Sequence, residues 1–177
     1  MDRLASRDDA DDLLRLITKR DREAFTRLVA LYDSDLLRFC YMLSRDVQTA
    51  EEATQSAWLK LWLRPPSLRD PQRLRSWLLS VAANEARQSM RRQRVGRIKE
   101  IAAMERVGRQ DEGLESRIDL DRVLAGLSTD ERELLALRFA LGMSSMDIGA
   151  HLGVGPEGAR TRLHRLLVKI RKELVSD

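Results

Sequence analysis

The sequence predicts an all-α protein: two small helical domains joined by a flexible linker, the C-terminal one a helix-turn-helix. Three observations predict it. Aromatic residues make up only 5% of the chain, against 43% hydrophobic and 34% charged residues in total, a composition that favours helix over strand. Apolar residues recur at steps of three and four through most of the length. Ser and Asp caps, glycine turns and a proline start punctuate the C-terminal third. At 177 residues the chain can form one ordinary domain or two small ones with thin cores.

Phe25, Leu28, Tyr32, Leu36, Phe39 and Leu43 stack on one face of a first helix or a closely spaced helix pair. The pattern repeats over 46–63. There Ala50, Ala53, Ala57 and Leu61 form a slim face for close packing, with Glu51, Glu52, Gln55 and Lys60 on the polar side. Pro65-Pro66 breaks the chain, and Ser67 to Pro71 reads as a loop. A long helix is then expected over 72–94. At about 100° per residue, Leu78, Leu79, Ala82, Ala86 and Met90 fall on one side, and Asn84, Arg87, Arg91 and Arg94 share a narrow arc on the other. From Arg87 to Arg97 there are five arginines and no acid.

Between Val95 and Arg117 the periodicity weakens and Gly96, Gly108 and Gly113 appear, as in a linker with a fraying helix. The expected division is 1–95, a 96–117 linker, and 118–177. In the last part Leu120, Val123, Leu124 and Leu127 make a short amphipathic helix, and Ser128-Thr129-Asp130-Glu131 is a capping box. The helix it opens carries Leu134, Leu135, Leu137, Arg138 and Phe139 and stops near Gly142. A second capping box, Ser144 to Asp147, opens a short helix that carries Ile148 and Leu152 inward. Gly153-Val154-Gly155 is a tight turn, Pro156 takes a first helical position, and Ala159, Leu163, Leu166, Ile170 and Leu174 define a buried face. Helix, glycine turn, helix at these spacings is a helix-turn-helix.

Charge excludes little by its sum and much by its placement. The 32 basic and 28 acidic residues leave a net +4. Asp2, Asp8, Asp9, Asp11 and Asp12 offset the basic helices in that total. The single cysteine, Cys40, suits a reducing compartment. No segment has the apolar core of a signal peptide or the roughly 20 apolar residues of a membrane span, so a cytoplasmic protein with no membrane insertion is expected. Enzyme function finds little support. The two histidines, His151 and His164, both fall in the helix-turn-helix, and there is no Gly-rich phosphate loop or metal-ligand cluster. No catalytic residue, metal or cofactor is expected.

Two surfaces fit nucleic acid. On the last helix, six Lys or Arg residues stand against one acid from Pro156 to Lys172. The N-terminal part of such a helix enters the major groove, which places Glu157, Arg160, Thr161 and His164 to meet base edges and Arg162 and Arg165 to meet phosphates. Two roles are open to Glu157, a base contact or a helix-dipole contact. The stripe of Asn84, Arg87, Arg91 and Arg94 pairs an amide with guanidinium groups, which suits a strand held by charge and one base read by an amide. Trp77 lies near that face, as a stacking partner or as a partly buried core residue.

Four segments in register resemble the extracytoplasmic-function (ECF) sigma factors of bacterial RNA polymerase. They are Ala50-Glu51-Glu52-Ala53-Thr54-Gln55-Ser56-Ala57-Trp58-Leu59-Lys60-Leu61-Trp62, Trp77-Leu78-Leu79-Ser80-Val81-Ala82-Ala83-Asn84, Gly142-Met143-Ser144-Ser145-Met146-Asp147-Ile148-Gly149 and Arg160-Thr161-Arg162-Leu163-His164-Arg165. The resemblance runs from about Asp21 to Leu174. It implies that 1–95 is a region two-like domain whose Glu51, Glu52, Gln55, Trp58 and Leu59 dock on the clamp helices of the polymerase beta-prime subunit. The Asn84 helix and the loop before it would recognise and open the downstream promoter element. The region four-like domain would read the upstream element as duplex. The implied partners are core RNA polymerase, including its beta subunit, promoter DNA and an anti-sigma factor. Two departures stand out: Gln88 where an acid commonly follows the Asn84 position by four, and Asp147-Ile148-Gly149 in place of Glu-Ile-Ala. The competing class is a helix-turn-helix repressor or activator acting without being a polymerase subunit, its first ninety residues a dimerisation or sensing domain. A helical adaptor would leave both cationic faces unexplained.

Overall fold

The computed structural model describes residues 16–67, 73–101 and 123–175, leaving aside the side chains of 96–101 and 175. All regular structure among these residues is helical. The chain divides into two compact units, Met1–Ser89 and Met90–Asp177.

In the first unit, α1 (Arg22–Ser44) is capped by the Asp21 carboxylate, which accepts from the Ala24 N–H at 3.0 Å. It ends at Arg45, which takes a left-handed conformation (φ 57°) and bonds its N–H back to the Tyr41 carbonyl. Asp46 at once caps α2 (Val47–Leu63), accepting from the Thr49 N–H at 2.8 Å and the Thr49 hydroxyl at 2.6 Å. The two-residue link folds α1 and α2 into a helical hairpin. Leu28, Leu36, Phe39, Cys40 and Leu43 are buried on α1, as are Ala50, Ala53, Ala57 and Leu61 on α2. Phe25 meets the rings of Trp58 and Trp62 edge-on, with centroids 5.9 and 5.1 Å away. The third helix, α3 (Leu74–Ile101), buries Leu74, Leu78, Leu79, Ala82, Ala83 and Ala86, and Arg75 donates to Asp35 of α1 at 2.8 Å.

Helix α3 runs further than its pattern predicts. It continues through 96–101, the start of the expected linker. One glycine, Gly96, costs about 1 kcal/mol relative to alanine, and the Arg, Lys and Glu that follow are good helix formers. Residues 102–122, which hold the rest of that linker, Ile118 and Leu120, lie outside the described residues, as do 68–72 of the expected loop and the N-terminal acids.

In the second unit, a helical stretch at 123–126 precedes α4 (Thr129–Leu135), where both bonds of the Ser128–Glu131 capping box are made. The helix stops just before Gly142, as its pattern predicts, but its last turn is not α-helical. Ala136–Ala140 widens into a π-helical turn, and the Leu141 N–H bonds to the Ala136 carbonyl at 3.0 Å. The wider turn buries Ala136 and Leu137 and leaves Phe139 62% exposed. The second capping box then opens α5 (Ser145–Leu152), and Gly153 closes it with φ 67°. Helix α6 (Pro156–Val175) buries Ala159 and Leu166 and half-buries Leu163 and Ile170. Leu174, expected on the buried face, is 45% exposed. At 20 residues α6 outruns the eight-residue α5.

The turn also explains Gly149. A Cβ there would lie 2.8 Å from the Val154 carbonyl oxygen and 3.1 Å from the Gly155 carbonyl carbon. The backbone of the turn thus folds directly over Gly149, whose own carbonyl accepts from the Val154 N–H at 2.8 Å. What looked like a weak helix former permits a close backbone approach.

Candidate nucleic-acid and partner-binding surfaces

The α5–turn–α6 unit places the first candidate surface. Pro156 starts α6 immediately after the glycine turn, with Ala159 buried and the charged residues of its first turns facing outward. Glu157, Arg160, Thr161, Arg162, His164 and Arg165 are all exposed. Arg160 and Glu157 pair with each other at 2.8 Å while remaining 59% and 83% exposed. An exposed pair at i,i+3 is worth at most about 1 kcal/mol, so a better acceptor can take Arg160 from it.

Buried and bridging polar groups brace this presentation. His151 of α5 meets Glu133 of α4 at 3.1 Å, with both side chains at most 5% exposed. His151 is therefore a structural residue. Lys169 of α6 bonds both oxygens of Glu131 at 2.9 and 3.0 Å, and Glu131 also accepts from the Ser128 N–H at 2.8 Å.

The Glu131 bonds carry a pH signature. Burial pushes the Glu131 carboxyl up, but the Lys169 ammonium and the Ser128 donors outweigh it and hold the group below its ordinary 4.5. The bond to Glu131 raises Lys169 above its ordinary 10.5, against weaker desolvation. A lowered carboxylate stabilises the fold above its unfolded pKa and loses that contribution as pH falls through its folded pKa; a raised ammonium loses its own as pH rises through its folded pKa. Glu131→Gln keeps a residue able to complete the capping box and removes the charge. Thermal melts should show the wild type more stable than Glu131→Gln near neutral pH, by up to about 1 kcal/mol for so exposed a pair. That advantage should shrink as pH is taken below the ordinary carboxylate value.

Helix α3 places the second surface. Asn84, Arg91 and Arg94 are exposed, while Arg87 and Trp77 are half-buried. Seven residues are close to two helical turns, so Trp77, Asn84 and Arg91 fall near one line along the helix. A half-buried ring leaves part of an aromatic surface on the same line of the helix, two turns before the amide. Gln88 is exposed.

The third surface is the outer face of α2. Glu51, Glu52 and Gln55 are exposed and Leu59 is 57% exposed, but Trp58 departs from this set. Its ring is 7% exposed against Phe25, and its Nε1 donates to Asp33 at 2.8 Å. Trp58 is thus a core residue that anchors α2 on α1, and its place as a partner contact is corrected. Leu63, one turn beyond Leu59 and 53% exposed, extends the apolar end of this face and was missed in the sequence. No group of three or more His, Cys, Asp or Glu side chains that could hold a metal occurs among the described residues, and no helix there is long and apolar enough to cross a membrane.

Comparison with known proteins matches both halves of this arrangement. Residues 28–95 match the family model Sigma-70 region 2, and residues 117–170 match Sigma-70, region 4. The RNA polymerase sigma factor CarQ of Myxococcus xanthus is 30% identical over 158 residues, covering 86% of this chain and 90% of CarQ. "Probable RNA polymerase sigma factor RfaY" of Xanthomonas campestris is 25% identical over 164 residues, and the chain spans 41% of its length. Among solved structures, the sigma factor RpoE of Bartonella quintana, in complex with the anti-sigma factor NepR, superposes with a TM-score of 0.65 at 25% identity, covering 86% of this chain and 98% of that one.

A helical region 2 unit followed by a region 4 helix-turn-helix defines a transcription-initiation factor that addresses promoter DNA. The chain belongs to the extracytoplasmic-function sigma factors of bacterial RNA polymerase. Membership answers the repressor alternative, since the stretch that would sense or dimerise matches region 2 instead.

Proposed function

We propose that this sigma factor divides promoter recognition between two regions of its chain, 1–95 and 118–177, joined through 96–117. The observation that carries the reading is the exposed Asn84 amide in line with exposed Arg91 and half-buried Trp77 on α3, in a chain that also presents an exposed cationic helix within a helix-turn-helix. In this reading α6 holds the upstream element as duplex, with Arg160 and its neighbours at base edges and Arg162 and Arg165 on phosphates. The guanidinium groups of Arg87, Arg91 and Arg94 hold a strand of the downstream element, and Asn84 reads one base taken out of the stack.

The division has a thermodynamic reason. Opening a duplex needs binding energy that favours the open state, because a ligand shifts an equilibrium only by its differential affinity. A captured base supplies that difference against an unstacking cost of a few kcal/mol. Glu51, Glu52, Gln55 and Leu59 on α2 form the face for the beta-prime clamp helices, and phosphodiester chemistry stays with the polymerase. The RpoE complex with NepR supports control of this chain by an anti-sigma protein, which in this reading acts by covering these faces. The absence of an apolar spanning helix among the described residues is compatible with action in the cytoplasm.

Asn84→Ala tests the reading. Holoenzyme carrying this variant should bind core polymerase and duplex upstream DNA as the wild type does, and open a promoter selected from a random library at least about tenfold more slowly. Such a loss is what about 1.4 kcal/mol of open-state stabilisation provides. Unchanged opening with permanganate or fluorescence detection would remove Asn84 from that role.

A further inference from the structure

We infer that the Lys60–Glu85 ion pair is a clasp between α2 and α3 that sets how Asn84 is presented, so that Lys60 and Glu85 are positioning residues for promoter opening; the inference rests on the reading of Asn84 as the base-capturing amide. Lys60 Nζ lies 2.5 Å from Glu85 Oε1. The Lys60 side chain is 55% exposed and that of Glu85 only 14%. The carboxylate is therefore held against the protein while the ammonium reaches it from the solvent side.

Glu85 directly follows Asn84, so the two side chains leave α3 about 100° apart. Holding one toward α2 aims the other away from it. Side chains reach about 5–6 Å from a helix axis, so a roll of only about 20° would displace the Asn84 amide by on the order of 2 Å. A hydrogen-bonded contact to a base does not survive a shift of that size.

A second bond lies one turn further along α3. Ser89 Oγ donates to Glu52 Oε2 at 3.4 Å, and Gln48 holds the other oxygen of Glu52 at 3.0 Å. Two ties on successive turns resist roll. Leu61 on α2 and Leu74, Leu78 and Leu79 on α3 supply the larger apolar contacts, while the rest of the two buried faces is slim: Ala50, Ala53 and Ala57 on α2 and Ala82, Ala83 and Ala86 on α3. Methyl groups allow close approach but do not interlock as larger side chains do. Lys60 also adjoins Leu59, and Glu52 belongs to the same outer face. The clasp thus joins the face assigned to the polymerase to the face assigned to the captured base.

A double-mutant cycle in reconstituted holoenzyme tests this, using the library-selected promoter and saturating sigma factor. Lys60→Met and Glu85→Gln should each slow opening by roughly threefold to tenfold, the double variant should be no worse than either, and Lys60→Arg should retain most of the rate. Core affinity should hold, and each variant should remain folded at the assay temperature. If Lys60 instead touched DNA directly, Lys60→Met would slow opening while Glu85→Gln, which removes a negative charge, would speed it; that result overturns the clasp. Asn84→Ala in the same assay separates the failures. If Asn84→Ala slows opening and neither clasp variant does, the inference alone is wrong. If Asn84→Ala has no effect, the functional reading falls and the inference with it.

Discussion

Replacing Arg160 by alanine should cost about 1–3 kcal/mol of binding at one or two base positions of the upstream element and leave the remaining sequence preference intact. The expectation follows from where the residue stands. It lies on the second turn of α6, exposed, and is held in the free protein by Glu157 at 2.8 Å. That pair gives Arg160 a defined direction at little energetic cost to leaving it, and a guanidinium in the major groove pairs in two-pronged fashion with guanine O6 and N7. Binding to a panel of upstream elements, each changed at one position, reads the effect. A uniform loss across the panel, with a shallower salt dependence, would mark Arg160 as a phosphate contact instead.

Gly149→Ala should destabilise the helix-turn-helix by about 1–2 kcal/mol, although alanine is the better helix former by up to about 1 kcal/mol. The added methyl would meet the Val154 carbonyl oxygen at 2.8 Å and the Gly155 carbonyl carbon at 3.1 Å. Both are backbone atoms of the turn that orients α6, so relief requires the turn to open. Hydrogen exchange at α5 and α6 should quicken, the melting temperature should fall, and affinity for the upstream duplex should fall with it. A rise in melting temperature would show that the turn relaxes freely and that Gly149 contributes nothing to its closeness.

How much of this was legible depended on distance along the chain. The capping boxes at Ser128 and Ser144, the Gly153 turn and the Pro156 start are each decided within about four residues, and each stands where the pattern puts it. Trp58 was legible in principle. By helical angle it lies beside Thr54 and Leu61 on the inner side of α2, whereas Leu59 lies 100° further round. The polar ties were not legible, because Lys60–Glu85, His151–Glu133 and Lys169–Glu131 join residues 25, 18 and 38 apart. Only the packed fold brings those groups together. The π-helical turn at Ala136–Ala140 was hidden for a related reason, since its residues carry ordinary helical spacing and only the packed positions of Ala136 and Leu137 reveal the extra residue. The role of Gly149 was likewise hidden in the approach of the turn's backbone rather than in its propensity.

The measurement that bears most directly on the whole account is reconstitution with core RNA polymerase. The purified chain should co-elute with core polymerase at low salt and direct transcripts from defined start points on a promoter selected by that holoenzyme, with core alone giving none. Failure to bind core at low salt, in a preparation that still binds duplex DNA through α6, would contradict it.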